Sequence, residues 1–388
     1  MRMMAGRLGA ALRVIAVNAA LLIGALLLFE VGCRVAGIAP DTLKPNILTQ
    51  FGAPAAPRGY FAADPATGFD IARNAPATPF FVEGVRHTIF SNRYGCFDER
   101  TSYPGDYLLL LGDSFAWGFA EYRDKWGTIL EERLGIAVAK CGISLSGQRH
   151  QALRGARIVG EIGHRPRAIV VSHFENDYPD DALFPQATVH DGYLATLAAF
   201  RPDGSVQRLS PADVEERYRR WLAGDHRAQD IAAPAAPGIV YWIARNSVAA
   251  NVVKEMTRQL GVVDLFLSLF RPGAAGADRT GADGGPDRIR DLSRDAHFAA
   301  IRGMKAWAAE LGVPLYVVLV ANRDRPAGQN DEVLRFLRAE NIEALDLAPA
   351  FAGKASLYWK MDGHWNADGN RAAAEATYRW LAGKLKGL

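Results

Sequence analysis

The sequence predicts an α/β protein in which a parallel five-stranded sheet is covered by helices on both faces, with a membrane-spanning segment in front of it. Two patterns in the 388 residues predict this fold. Short apolar runs alternate with stretches of helical periodicity, which is typical of parallel sheets joined by crossover helices. A long apolar segment also stands near the N-terminus. The strand candidates are residues 107–111, 137–141, 168–172, 314–320 and 342–347.

Helices are expected between these strands because apolar residues recur there at intervals of three and four. The helix candidates are residues 151–162, 298–311, 332–338 and a last helix over 367–385. A long insertion, residues 184–296, separates the third and fourth strand candidates. Its amphipathic stretch 240–270 predicts a cap or a membrane-facing element. Residues 271–287 are mostly Gly, Ala, Asp and Arg and are expected to be disordered.

The N-terminal segment, residues 1–38, is predicted to be a membrane anchor or a signal peptide. Arg2, Arg7 and Arg13 precede the apolar run 14–29, which is shorter than the roughly 20 residues that a spanning helix prefers. We favour the anchor because no small-x-small cleavage site follows the run. The positive-inside rule then puts the rest of the chain on the outer, periplasmic side of the cytoplasmic membrane. Residues 39–68 are rich in Pro, Ala and Gly and predict a linker, so the main domain would be 69–388.

Charge and cysteine content limit the partners. The formal net charge is only +3 and the basic residues are dispersed, which argues against nucleic acid as a partner. Cys96 and Cys141 could pair in an oxidising compartment, but their sequence positions leave this open. The histidines lack the spacing to Cys or carboxylates that metal sites use, so no metal is predicted.

Two short motifs carry the candidate chemistry. Gly112-Asp113-Ser114 directly follows the first strand candidate, where a tight turn would present one hydroxyl. Asp362-Gly363-His364 precedes the last helix. A serine becomes a good nucleophile when an imidazole backed by a carboxylate accepts its proton. Either motif alone is also ordinary turn or capping chemistry. Together they predict Ser114, His364 and Asp362 as catalytic residues.

Two further segments complete a family resemblance. Residues 141–148 follow the second strand candidate, and Phe174-Glu175-Asn176-Asp177 follows the third. With these segments, most of the chain after the linker resembles the SGNH branch of the GDSL hydrolases, in particular its bacterial membrane-anchored esterase and O-acetyltransferase-like subgroup. The resemblance extends to Ser91-Asn92-Arg93-Tyr94-Gly95 and implies a three-layer, flavodoxin-like fold. No Gly-x-Ser-x-Gly elbow surrounds Ser114, so an α/β-hydrolase fold is the weaker interpretation.

The resemblance also implies roles for individual residues. Ser114 would be the nucleophile, His364 the general base and acid, and Asp362 the carboxylate that orients the imidazole. The backbone N–H groups of Ser114 and Gly147 and the side chain of Asn176 would form the oxyanion hole. Cys141 stands where relatives usually have Asn, and the block is one residue longer before its glycine. Gly142 and Ser146 therefore compete with Gly147 for the second position.

The implied function is a serine esterase that hydrolyses acyl, most simply acetyl, esters on a cell-envelope or exported carbohydrate. The resemblance implies no cofactor. An O-acyltransferase that modifies an exported polysaccharide is the first alternative, because a sugar hydroxyl can replace water as the acceptor. An inactive carbohydrate-binding or assembly protein is the second. The expected partners are an acyl-ester substrate and the membrane.

Overall fold

A computed structural model describes residues 2–36, 56–83, 85–201, 204–222, 247–249, 285–323, 328–360 and 362–386. The chain divides into two compact units. One comprises Met1–Thr49 and Ala233–Arg279, and the other Gln50–Ala232 and Thr280–Leu388.

The strands are β1 Phe61–Asp64, β2 Gly68–Ile71, β3 Thr78–Val82, β4 Val85–Ile89, β5 Tyr107–Leu111, β6 Ala137–Lys140, β7 Ala168–His173, β8 Ala187–His190, β9 Tyr193–Thr196, β10 Ala198–Phe200, β11 Val206–Arg208, β12 Leu315–Leu319 and β13 Glu343–Asp346. The α-helices are α1 Arg2–Val35, α2 Ser114–Trp117, α3 Trp126–Leu134, α4 Gln148–Ile162, α5 Asp177–Ala182, α6 Pro211–Leu222, α7 Gly285–Glu310, α8 Asp331–Ala339, α9 Ala348–Phe351 and α10 Ala367–Leu385. Single 3₁₀ turns lie at Tyr122–Asp124 and Ala355–Leu357.

In the first unit, α1 contains a segment that is long and apolar enough to cross a membrane or to serve as a signal sequence. That segment is Ala16–Val35, with a mean hydropathy of 2.0 and only 6% of it buried. Near its end, Glu30 accepts hydrogen bonds from the Ser247 hydroxyl (3.0 Å) and the Ala249 N–H (2.9 Å). The apolar segment Ala16–Val35, with 20 residues, is thus longer than the apolar run 14–29 identified in the sequence.

In the second unit, five parallel strands form one sheet in the order β13-β12-β7-β5-β6. All five correspond to the strand candidates, so the predicted α/β fold is confirmed. The side chains of β5 alternate between two cores. Leu108 and Leu110 pack with residues of α3 and α10, whereas Leu109 and Leu111 pack with residues of α4 and α7. Helices therefore cover both faces of the sheet, and the unit has three layers.

Antiparallel hairpins β1–β2, β3–β4, β8–β9 and β10–β11 surround this sheet and were not predicted. Strand β1 lies inside the predicted linker 39–68 and pairs with β2, so ordered structure begins before residue 69. The Pro, Ala and Gly content that suggested a linker also suits a tight hairpin. Within the predicted insertion, residues 285–287 belong to α7 rather than to a disordered segment. Residues 271–284 lie outside the described residues, as does 240–270 apart from 247–249.

The strand order reverses at the centre of the sheet. From β5 the chain moves to β6 on one side and then returns to β7 on the other. In open parallel sheets, ligands bind at the carboxyl ends of the strands beside such a reversal. The segments after β5 and β7 contain Ser114 and Asn176.

Candidate active site

Ser114 stands at the start of a one-turn helix directly after β5. Gly112 has a φ of 139°, and a Cβ there would overlap the Ser172 hydroxyl, so this turn requires glycine. The Asp113 carboxylate caps the turn by accepting a hydrogen bond from the Phe115 N–H (3.0 Å). The Ser114 side chain begins this turn, and the residue is only 8% exposed.

Ser114, His364 and Asp362 form one hydrogen-bonded line. The Ser114 Oγ lies 2.8 Å from His364 Nε2, and His364 Nδ1 hydrogen-bonds with Asp362 Oδ1. Gly363, with a φ of 88°, allows the chain to turn back so that the carboxylate reaches a ring only two residues away. Burial raises the pKa of Asp362, but hydrogen bonds and charge from His364 outweigh it, and the pKa ends below its usual value. The carboxylate is therefore ionised at neutral pH.

Distant residues hold the loop that carries this pair, and sequence patterns gave no signal for them. Glu83, in the β3–β4 turn, accepts hydrogen bonds from the backbone N–H of Asp362 (2.8 Å) and of Lys360 (3.1 Å). Arg323 donates to the carbonyls of Trp359 and Lys360, both at 2.8 Å. The loop is thus tied to a hairpin and to the chain after β12.

Asn176 lies just after β7 and precedes α5. Its side chain lies close enough to the buried Asp113 carboxyl to lower the pKa of that group, and its Oδ1 has no partner among the described residues. Burial raises the pKa of Asp113 to about 6, although the Phe115 N–H and the charge of His364 oppose the shift. Asp113 thus connects the serine turn to Asn176.

The three candidates for the second oxyanion position have different surroundings. A Cβ on Gly142 would overlap the backbone of Ala116 and Trp117, so Gly142 packs directly under the serine turn. The Ser146 hydroxyl is fully buried and donates to the Ile143 carbonyl (2.7 Å). Gly147 precedes α4, and its N–H donates to no acceptor in the part of the chain that the structure describes.

The segment with these residues is also held by a disulfide. Cys96 and Cys141 are bonded, with their Cα atoms 4.4 Å apart, so the pairing that the sequence left open is present in the structure. The buried guanidinium of Arg154 donates to the carbonyls of Gly95 and Cys141 on either side, and to Asp70. Reasoning from the sequence missed Arg154.

Three aromatic residues flank the Ser114 and His364 motifs in the sequence, namely Trp117, Phe119 and Trp365. Trp117 and Trp365 are core residues, 4% and 1% exposed. Phe119 is buried as well, and its ring also contacts the His364 ring. Within the described ranges, no group of three or more His, Cys, Asp or Glu side chains is arranged to hold a metal ion.

Comparison with solved structures finds weak similarity to esterases. A GDSL-like lipase from Bacteroides thetaiotaomicron matches with 12% identity and a TM-score of 0.33, over 73% of this chain and 92% of that one. A catalytic mutant of an acetylxylan esterase from Geobacillus stearothermophilus matches with 13% identity and a TM-score of 0.32, over 71% and 93%. A two-domain esterase active on acetylated mannans matches with 9% identity and a TM-score of 0.36, over 73% and 50%. No protein-family model and no curated protein matches the sequence. Similarity at this level is too low to assign a function, which has to come from the site itself.

Proposed function

We propose that this chain is a serine esterase of the SGNH type that hydrolyses acyl esters through an acyl-enzyme. The observation that carries the proposal is the hydrogen-bonded line from Ser114 through His364 to Asp362, at the carboxyl end of β5. Nucleophile, base and orienting carboxylate stand in the order that acyl transfer requires. The four sequence blocks of the SGNH resemblance support the same assignment.

In the proposed mechanism, His364 Nε2 takes the proton from Ser114 Oγ as this oxygen attacks the ester carbonyl. The Asp362 carboxylate holds the ring in the right tautomer and stabilises the imidazolium that forms. His364 then gives the proton to the departing alcohol, which leaves the acyl group on Ser114. Water attacks this acyl-enzyme with His364 again as the base, and the acid is released.

The oxyanion of each tetrahedral intermediate would be bound by the Ser114 N–H, the Gly147 N–H and the Asn176 amide. We assign the second donor to Gly147, as the resemblance implies. Its N–H stands at the start of α4 and has no acceptor in the described part of the chain. An amide has two N–H donors, so Asn176 can direct one toward the Asp113 carboxyl and offer the other to the oxyanion.

We further propose a small acyl group on a cell-envelope or exported carbohydrate as the substrate, as the subgroup resemblance implies. A position outside the cytoplasm agrees with the arginines that precede the apolar segment Ala16–Val35 of α1 and with the Cys96–Cys141 disulfide, because disulfides persist in oxidising compartments. In this proposal α1 anchors the enzyme in the cytoplasmic membrane.

The test uses the full chain in detergent, with p-nitrophenyl acetate and acetylated xylo- and manno-oligosaccharides as substrates. Ser114→Ala should abolish turnover and labelling by a fluorophosphonate, whereas Ser102→Ala, on an exposed loop, should leave both unchanged. Turnover that survives in Ser114→Ala would refute the proposal. Acetyl transfer to added oligosaccharide faster than hydrolysis would identify the enzyme as an acyltransferase instead.

A further inference from the structure

A buried line of three side chains lies behind the proposed oxyanion hole. His297 Nδ1 and Asp181 Oδ2 are joined by a hydrogen bond of 2.8 Å, and His297 Nε2 lies 2.9 Å from His173 Nε2. The residues are 0%, 5% and 3% exposed for His297, Asp181 and His173. Buried polar networks of this kind cost free energy unless they are well paired, so they tend to fix one geometry.

The Asp181 end of this line contacts the segment that carries Gly147. Asp181 Oδ1 accepts a hydrogen bond from the Arg149 N–H (2.8 Å), and the neighbouring Gln148 N–H also lowers the pKa of this carboxyl. A Cβ on Gly147 would lie only 2.6 Å from the Asp181 carboxyl carbon and 2.8 Å from the Asp181 nitrogen. The carboxyl group therefore caps the first turn of α4 and packs against Gly147 itself.

The other end of the line contacts the second oxyanion segment. His173 is the last residue of β7, three positions before Asn176, and its carbonyl accepts the Val320 N–H (2.9 Å). His297 comes from α7, the helix that leads from the insertion back to the sheet. One imidazole thus bridges the segments that carry Gly147 and Asn176.

We propose that Asp181 and His297 are positioning residues that hold the Gly147 N–H in place for the oxyanion. This inference rests on the proposed esterase function. Neither side chain would touch the substrate. Both would act through the first turn of α4, and their loss would weaken stabilisation of the transition state more than binding of the ester.

The test compares His297→Leu with His297→Asn in the full-length protein. Asparagine can keep a hydrogen bond to Asp181 from near the Nδ1 position, whereas leucine cannot. We expect His297→Leu to lower kcat at least about tenfold with KM changed less than about twofold, because losing a whole oxyanion donor costs about 10²–10³-fold. His297→Asn should recover most of this loss. Ser293→Ala, one turn earlier on α7 and equally buried, is the control for packing and should keep wild-type kcat.

A second measurement does not depend on activity. Hydrogen exchange of the Gln148 and Arg149 amides should be faster in His297→Leu and in Asp181→Asn than in the wild type, and unchanged in Ser293→Ala. If the wild type shows no Ser114-dependent turnover, the esterase proposal fails. In that case, exchange of the two amides that is as slow in both variants as in the wild type would also refute the positioning role of Asp181 and His297. If the wild type is active, an unchanged kcat in His297→Leu overturns the inference, as does an increase in KM that accounts for the whole loss.

Discussion

The phenyl ring of Phe119 lies flat against the imidazole of His364, with ring centroids 3.9 Å apart and planes 9° apart. Phe115 contacts the same imidazole with a centroid distance of 4.8 Å. The ring of His364 is therefore fixed by its neighbours as well as by its hydrogen bonds. A general base works best when its nitrogen stays within hydrogen-bond reach of the hydroxyl, and this packing limits ring motion.

Replacing Phe119 by leucine should lower kcat by about three- to tenfold. Aromatic pairs contribute about 0.5–1.5 kcal/mol beyond their buried area, and leucine keeps apolar volume but not the flat contact. Phe80→Leu is the matched control, because Phe80 packs on Phe119 and Trp117 in the same cluster. Both variants should lose thermal stability in unfolding scans, but only Phe119→Leu should lose kcat. Equal losses of kcat would mean that the cluster acts only by supporting the fold.

The Cys96–Cys141 disulfide should stabilise the second unit and the active site together. The two cysteines are 45 residues apart, and for a loop of this length the chain-entropy model gives a contribution of about 4 kcal/mol. Gly142, which follows Cys141, packs under the serine turn, so loosening this segment should also disturb Ser114. The double variant Cys96→Ser/Cys141→Ser should therefore lose both Tm and kcat. The free Cys33 provides the control, and Cys33→Ser should change neither. Full activity in the double variant would show that the disulfide does not affect catalysis.

Asp113 should make the folded state less stable as the pH rises. Its pKa in the folded protein is raised by burial to about 6, so the folded state holds the proton to a higher pH than the unfolded chain does. The favourable contribution is complete below about pH 4 and is lost as the pH rises through about 6, with a size of about 3 kcal/mol for two pKa units.

Asp113→Asn removes this titration and keeps an oxygen that can cap the Phe115 N–H. Relative to the wild type, its Tm should therefore be higher at about pH 8 than at about pH 5. All other groups titrate in both proteins, so the difference between the two reports Asp113 together with its effect on Asp177 and Asp180. The pKa of each of these two carboxyls is raised mainly by burial and further by the charge of Asp113. A Tm difference that is the same at both pH values would contradict the raised pKa.

The sequence was sufficient for the central strands of the sheet because they are apolar runs that are buried on both faces, whereas the edge strand β13 is only partly buried. The five residues Tyr107–Leu111 are all buried, and Ala168–His173 is buried throughout. Such runs are typical of parallel sheets. Because parallel strands end at the same edge of the sheet, the motifs that follow them lie at that edge whatever the length and path of the connecting loops. For this reason Ser114 and Asn176 could be placed at the same edge of the sheet before their contacts were known, whereas His364 was named from its motif ahead of the last helix.

Residues that reach the site only through tertiary packing leave no such pattern in the sequence. Glu83 binds the backbone of Asp362 from a position 279 residues earlier in the chain, in a hairpin whose strands are only five residues long. His297 is an isolated histidine in an amphipathic helix, and nothing in the local sequence connects it with Asp181. Whether a residue supports a site depends on which residues it contacts in the folded protein. Periodicity and motif spacing in the sequence therefore do not identify such residues.

Asn176 provides the most direct test of the oxyanion hole. Asn176→Ala removes one N–H donor and should lower kcat by about 10²–10³-fold while KM changes little, because the bond to the substrate oxygen strengthens only as negative charge develops on it. Asn176→Asp should be at least as damaging. It replaces the donor by a carboxylate close to the Asp113 carboxyl, whose pKa the Asn176 amide lowers in the wild type. Steady-state kinetics with p-nitrophenyl acetate measures both effects.

Asn330→Ala is the control. Asn330 is also buried, lies after β12 and away from the serine turn, and donates a hydrogen bond to Asp346 (2.8 Å), so its loss should leave kcat at the wild-type value. If Asn176→Ala instead raises KM and leaves kcat unchanged, the amide binds the ground state, and the oxyanion would have to be held by the backbone N–H groups of Ser114 and Gly147 alone.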